Sequence, residues 1–73
     1  MPHGVQFAQI EQIFAILDRL SISREAVIIP LRPQGLGGVR RLQNGKLEIT
    51  VPAEVPFEQW YSSLESAITQ ALA

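Results

Sequence analysis

The dipeptide Asn44-Gly45, set between two runs of alternating character from Val39 to Pro52, constrains this chain more than any other feature. A two-residue type I′ turn needs positive φ at both central positions, which Asn and Gly tolerate best, so the pattern predicts a β-hairpin. With Asn44 and Gly45 as the loop, Gln43 faces Lys46, Leu42 faces Leu47, Arg41 faces Glu48, Arg40 faces Ile49 and Val39 faces Thr50. Opposed residues share a face and the faces alternate. One face is then Leu42, Leu47, Ile49 and Val51 with Arg40 among them, and the other is polar apart from Val39. Arg41 and Glu48 form a cross-strand ion pair, worth roughly 0–1 kcal/mol if exposed. Arg40 is out of place on an apolar face, and three explanations stand. Its stem can lie along the core with the guanidinium in water. A bulge before Leu42 can reverse the facing. Or the residue can be placed to hold an anion.

Seventy-three residues allow one domain, here 1–73 with a tail expected at 1–4. A chain this short is marginal without a staple. It has no cysteine, which excludes disulfides, thiolate zinc sites and catalytic thiols. Its one histidine, His3, falls in the tail, so no histidine metal cluster can form within one chain. Yet 47% of the residues are hydrophobic, a surplus that self-association would use, and a homodimer is the expected oligomer.

The elements around the hairpin follow from periodicity. Phe7, Ile10, Ile13, Phe14, Leu17 and Leu20 recur at three and four, which predicts an amphipathic helix, with Ile16 at the margin of its stripe. Ser21 to Glu25 breaks the pattern without Gly or Pro, and Ser21 or Ser23 can turn the chain by bonding to backbone. Ala26 to Leu31 reads as a strand, with Val27, Ile28 and Ile29 β-branched and Pro30 marking an edge or an end. An apolar edge invites pairing with another chain. After the hairpin, Pro56 suits a helix start, and Phe57, Trp60, Tyr61, Leu64, Ile68, Ala71 and Leu72 form the stripe of one further helix. The expectation is an α+β domain of order helix, strand, β-hairpin, helix. Its three-stranded, mostly antiparallel sheet, most economically a meander, has two amphipathic helices packed on one face; strand 26–31 can pair with 39–43 through a local hairpin or with 46–51 through a crossover.

Two groups of residues are candidates for function. The first is Val27, Ile28, Ile29, Ile16 and Trp60, an apolar set suited to an interface with a second copy or another protein. The second surrounds the loop Arg32-Pro33-Gln34-Gly35-Leu36-Gly37-Gly38. Glycines 35, 37 and 38 can turn backbone N–H groups towards a carboxylate or phosphate, with Arg32, Arg40 and Arg41 flanking. The glycine spacing matches neither the dinucleotide fingerprint nor a P-loop.

Catalytic chemistry is poorly supplied. None of the five serines lies in a Gly-x-Ser-x-Gly elbow, and no motif implies a metal or cofactor. The run Gly35-Leu36-Gly37-Gly38, a hairpin and an amphipathic helix together resemble the front half of minimal zinc peptidases, which carry His-Glu-x-x-His on that helix. Here Ser63 to Ile68 holds no histidine, so the resemblance implies no peptidase activity.

Net charge is −1, a poor footprint for nucleic acid. The charges are nevertheless segregated. Residues 32–46 carry Arg32, Arg40, Arg41 and Lys46 and no acid, and the chain from Leu47 carries Glu48, Glu54, Glu58 and Glu65 and no base. Such separation lets the two sets pair within the fold or across a contact. No stretch is long enough to span a membrane and no signal peptide is evident, so a cytoplasmic protein is expected. The sequence points to a non-enzymatic interaction module that dimerises, with an anion-binding module at 32–41 as the alternative.

Overall fold

The computed structural model describes residues 4–73, so the tail expected at 1–4, including His3, lies largely outside the described residues. In chain order the elements are α1 (Phe7–Arg19), a single 3₁₀ turn (Arg24–Ala26), β1 (Val27–Ile28), β2 (Gly38–Arg41), β3 (Leu47–Thr50), α2 (Phe57–Tyr61) and α3 (Leu64–Leu72). This is the expected small α+β fold, with the helices on one face of a three-stranded sheet.

α1 opens at Gln6, whose N–H donates to the Gln9 side-chain oxygen at 3.0 Å, satisfying an amide at the helix entrance. It ends in a Schellman motif. The Ser21 N–H bonds the Asp18 carbonyl at 3.1 Å, and the Ile22 N–H bonds the Leu17 carbonyl at 2.9 Å. Ser21 takes the left-handed conformation this requires, at φ 61°, in a position usually held by glycine. Ser23 then accepts the Glu25 N–H at its hydroxyl, 3.2 Å, and starts the 3₁₀ turn. Both serines turn the chain, Ser21 through its backbone and Ser23 through its side chain.

The sheet order is β1-β3-β2, with β1 parallel and β2 antiparallel to β3. The antiparallel meander gives way to a mixed sheet, and of the two pairings open to 26–31 the chain takes the one with 46–51. Segment 29–37 makes no local hairpin but carries the chain around the C-terminal end of β3. The Gln34 N–H reaches the Val51 carbonyl at 3.0 Å, and the Gly35 carbonyl accepts the N–H groups of Ala53 and Glu54 at 3.0 and 2.9 Å. Parallel strands need such a crossover. Gly37 permits the passage. Its φ is +71°, and a Cβ there would meet the Thr50 carbonyl at 2.8 Å and Pro52 at 2.9 Å.

The hairpin forms, in a register one residue from that expected. Val39 opposes Ile49, Arg40 opposes Glu48, and Arg41 opposes Leu47. The loop has three residues. Leu42 donates to the Lys46 carbonyl at 2.7 Å, and the Gly45 N–H bonds the Leu42 carbonyl at 2.9 Å. Gly45 alone supplies positive φ, +86°, while the Asn44 side chain accepts the Lys46 N–H at 3.0 Å. This is the three-residue loop whose left-handed glycine forms a bulge. A one-residue slip reverses every facing. A bulge therefore does explain Arg40, though it lies in the turn and not before Leu42. Arg40, not Arg41, pairs with Glu48, at Nε–Oε1 2.7 Å.

The expected second helix is two. Ser62 and Ser63 return their hydroxyls to the carbonyls of Gln59 and Trp60 at 2.8 and 3.0 Å. Serine side chains that bond preceding carbonyls compete with helix propagation. The break lets α3 turn Leu64 and Ile68 into the core. That core is Ile13, Ile16 and Leu17 of α1, Leu47 and Ile49 of β3 with Val51 just beyond it, and Leu64 and Ile68 of α3. The helices are tied together where the Tyr61 hydroxyl donates to the Gln12 carbonyl at 3.1 Å and where Arg19 meets Glu65 at 2.6 Å. The other face of the sheet carries Ile28, Arg40, Glu48 and Thr50.

Candidate functional site

The two sheet edges differ in chemistry. β2 presents Arg40 and Arg41, both exposed. Like charges would meet if this edge paired with its own copy, and charged residues are a common guard against edge pairing. β1 presents Val27 and Ile28 and carries no charge. Its Ile28 is 39% exposed, and Leu31 just beyond it is 65% exposed. The backbone on this side is closed only further along, where the Val5 N–H bonds the Leu31 carbonyl at 2.8 Å.

Of the five candidate interface residues, the structure leaves Ile28 on the surface. Val27 and Ile29 are half-buried against the core, and so is Trp60, whose ring lies 5.6 Å from that of Phe57. Ile16 is 2% exposed, a core residue, which corrects its assignment to an interface. The sequence stripe centred the buried side of α1 too close to Phe7 and Phe14. With 100° per residue, these lie roughly 100–120° from Ile13 around the helix. The sheet takes the Ile13, Ile16 and Leu17 side instead.

The candidate anion set does not converge. Gly35, Gly37, Gly38 and Arg40 share a shallow groove on the open sheet face, but Glu48 lies in that groove and holds Arg40. The Gly37 N–H is committed to the Gln34 carbonyl at 2.9 Å, so it is not turned outward. Arg32 lines a different cleft, with Leu31, Gln6, Gln9 and Pro52. Arg41 shares its face with Leu47, away from Arg40.

One surface was not anticipated. The flank of α1 that bears Gln12 and Arg19 is held by α2 and α3. The opposite flank carries Phe7, Glu11, Phe14 and Asp18, and with Arg24 they line a groove of about 280 Å³. Arg24 arrives from the turn before β1. Its guanidinium carbon sits 4.5 Å from the Phe14 ring centroid, and its Nη2 lies 3.0 Å from Asp18 Oδ2. The signal in the sequence was an aromatic followed four residues later by an acid, repeated after seven.

Comparisons of the chain with protein families, curated proteins and solved structures return no match.

Among the described residues, no group of three or more His, Asp or Glu is placed to hold a metal, and no helix is long and apolar enough to cross a membrane. What remains chemically distinctive is an uncharged strand edge beside exposed apolar side chains, and an aromatic and acidic helix flank.

Proposed function

We propose that this chain works by association and not by catalysis, as a protein–protein interaction module that forms a homodimer through the β1 edge. The observation that carries the reading is the contrast between the two edges: β2 bears arginines and β1 bears exposed Ile28 beside exposed Leu31. A two-fold axis is the usual way for identical chains to pair, and it makes the interface self-complementary. An antiparallel β1–β1 pair would join two three-stranded sheets edge to edge. It would also bring Glu25, before β1 of one copy, towards Arg32, after β1 of the other. Neither residue has an ion-pair partner among the described residues. This supplies part of the segregated charge with a use across a contact.

Ile28→Lys tests the reading. The site is on the surface, so the fold should persist, with stability changed by no more than about 0.5–1 kcal/mol. The dimer dissociation constant, followed by sedimentation equilibrium, should rise at least about tenfold, as for loss of a buried apolar contact. An unchanged constant contradicts the β1 interface. The alternative, an anion-binding module at residues 32–41, has less support because Arg40 already has a carboxylate. A cytoplasmic location belongs to the same proposal.

A further inference from the structure

The α1 flank away from α2 and α3 carries the same pair of side chains twice. Phe14 and Asp18 are four residues apart, as are Phe7 and Glu11, and the second pair lies seven residues before the first. Residues four apart lie on one side of a helix, and a shift of seven keeps them in nearly the same direction. All four side chains line one groove.

The chain shows what the Phe14–Asp18 pair does. It holds the Arg24 guanidinium, whose carbon lies over the ring 4.5 Å from its centroid and whose Nη2 is hydrogen-bonded to the carboxylate at 3.0 Å. A planar cation over an aromatic face beside a carboxylate combines a cation–π contact with a charge-assisted hydrogen bond. Phe7 and Glu11 repeat these chemical groups. Phe7 is 73% exposed, the most exposed large apolar side chain among the described residues, and Glu11 is exposed with no ion-pair partner among them. Burial in the core therefore does not account for Phe7.

We propose that the Phe7–Glu11 half of this groove is a docking site for an arginine side chain of a partner protein, equivalent to the Phe14–Asp18 half that holds Arg24. Arginine fits better than lysine, because a planar guanidinium can stack on the ring while its N–H groups address the carboxylate. The site does not depend on the dimer, since neither Phe7 nor Glu11 belongs to the β1 edge.

The test is an NMR titration of the full chain with N-acetyl-arginine methylamide, following the Phe7 ring and the Glu11 backbone amide. Saturable shifts at both are expected, weakening with added salt. N-acetyl-citrulline methylamide, the neutral isostere, should give none. Phe7→Leu and Glu11→Gln change exposed positions and should each weaken binding about two- to fivefold, the first as for an exposed cation–π contact and the second as for an exposed ion pair. In Arg24→Ala the probe should also shift Phe14, because the second half of the groove is opened. Absence of saturable shifts at Phe7, an equal response to the citrulline compound, or undiminished binding in both Phe7→Leu and Glu11→Gln would overturn the proposal.

Discussion

Single residues carry much of the geometry, and two of them make opposite predictions. Ser21 adopts φ 61° to close the Schellman motif. The left-handed region costs an L-residue roughly 1–2 kcal/mol, and glycine avoids that while losing some chain entropy on folding. Ser21→Gly should therefore raise stability by about 0.5–1 kcal/mol in urea denaturation. Gly37 is the converse case. Its φ of +71° and the 2.8 Å approach of the Thr50 carbonyl leave no place for a Cβ. Gly37→Ala should cost more than about 2 kcal/mol, since backbone strain and a steric clash add. Gly35→Ala has strain at φ +46° but open space, and should cost about 1 kcal/mol. The three variants belong in one denaturation series. If Gly35→Ala and Gly37→Ala lose the same stability, the crossover does not pack as described. The glycines of this loop looked like anion ligands in the sequence. At Gly37 a close backbone passage explains the residue, and such a passage is invisible until the pairing of distant strands is known.

At the scale of elements, the hairpin shows how much a local signal can specify. Asn44-Gly45 identified the turn, but two-residue and three-residue loops both accept this dipeptide. They differ in whether both Asn44 and Gly45 take positive φ or Gly45 alone does, and that choice moves Arg40 from the core face to a carboxylate. A double-mutant cycle between Arg40 and Glu48 should give a coupling of about 0.2–1 kcal/mol, in keeping with an exposed arginine on a half-buried carboxylate, and a cycle between Arg41 and Glu48 none. The reverse result would restore the two-residue loop. Other parts of the fold were less legible for other reasons. The parallel β1–β3 pair depends on a crossover closed by contacts to residues 51–54, which no local pattern records. The break at Ser62 and Ser63 rests on hydroxyls that serve a helix surface equally well. The stripe of α1 revealed a helix but not its rotation. That rotation put Ile16 in the core and left Phe7 outside it, and so decided which residues are available as a site.

As a whole molecule, the chain has a small core, with eight aliphatic side chains buried among the described residues, and a sheet covered on one face. Ile49 lies at its centre, fully buried on the middle strand. Ile49→Ala should lose about 2–5 kcal/mol, a large share of the 5 kcal/mol or so available to a domain of this size. Self-association would add stability that depends on protein concentration. The charge arrangement gives that idea a specific form. Glu25→Lys should weaken the dimer, and Glu25→Lys with Arg32→Glu should recover it, because opposed charges are restored across the two-fold axis. The most direct measurement is the mass of the unmodified chain by sedimentation equilibrium across a wide concentration range. The β1-edge account predicts a species at twice 8.1 kDa that reverts to one copy in Ile28→Lys. A mass of 8.1 kDa at every concentration would contradict it.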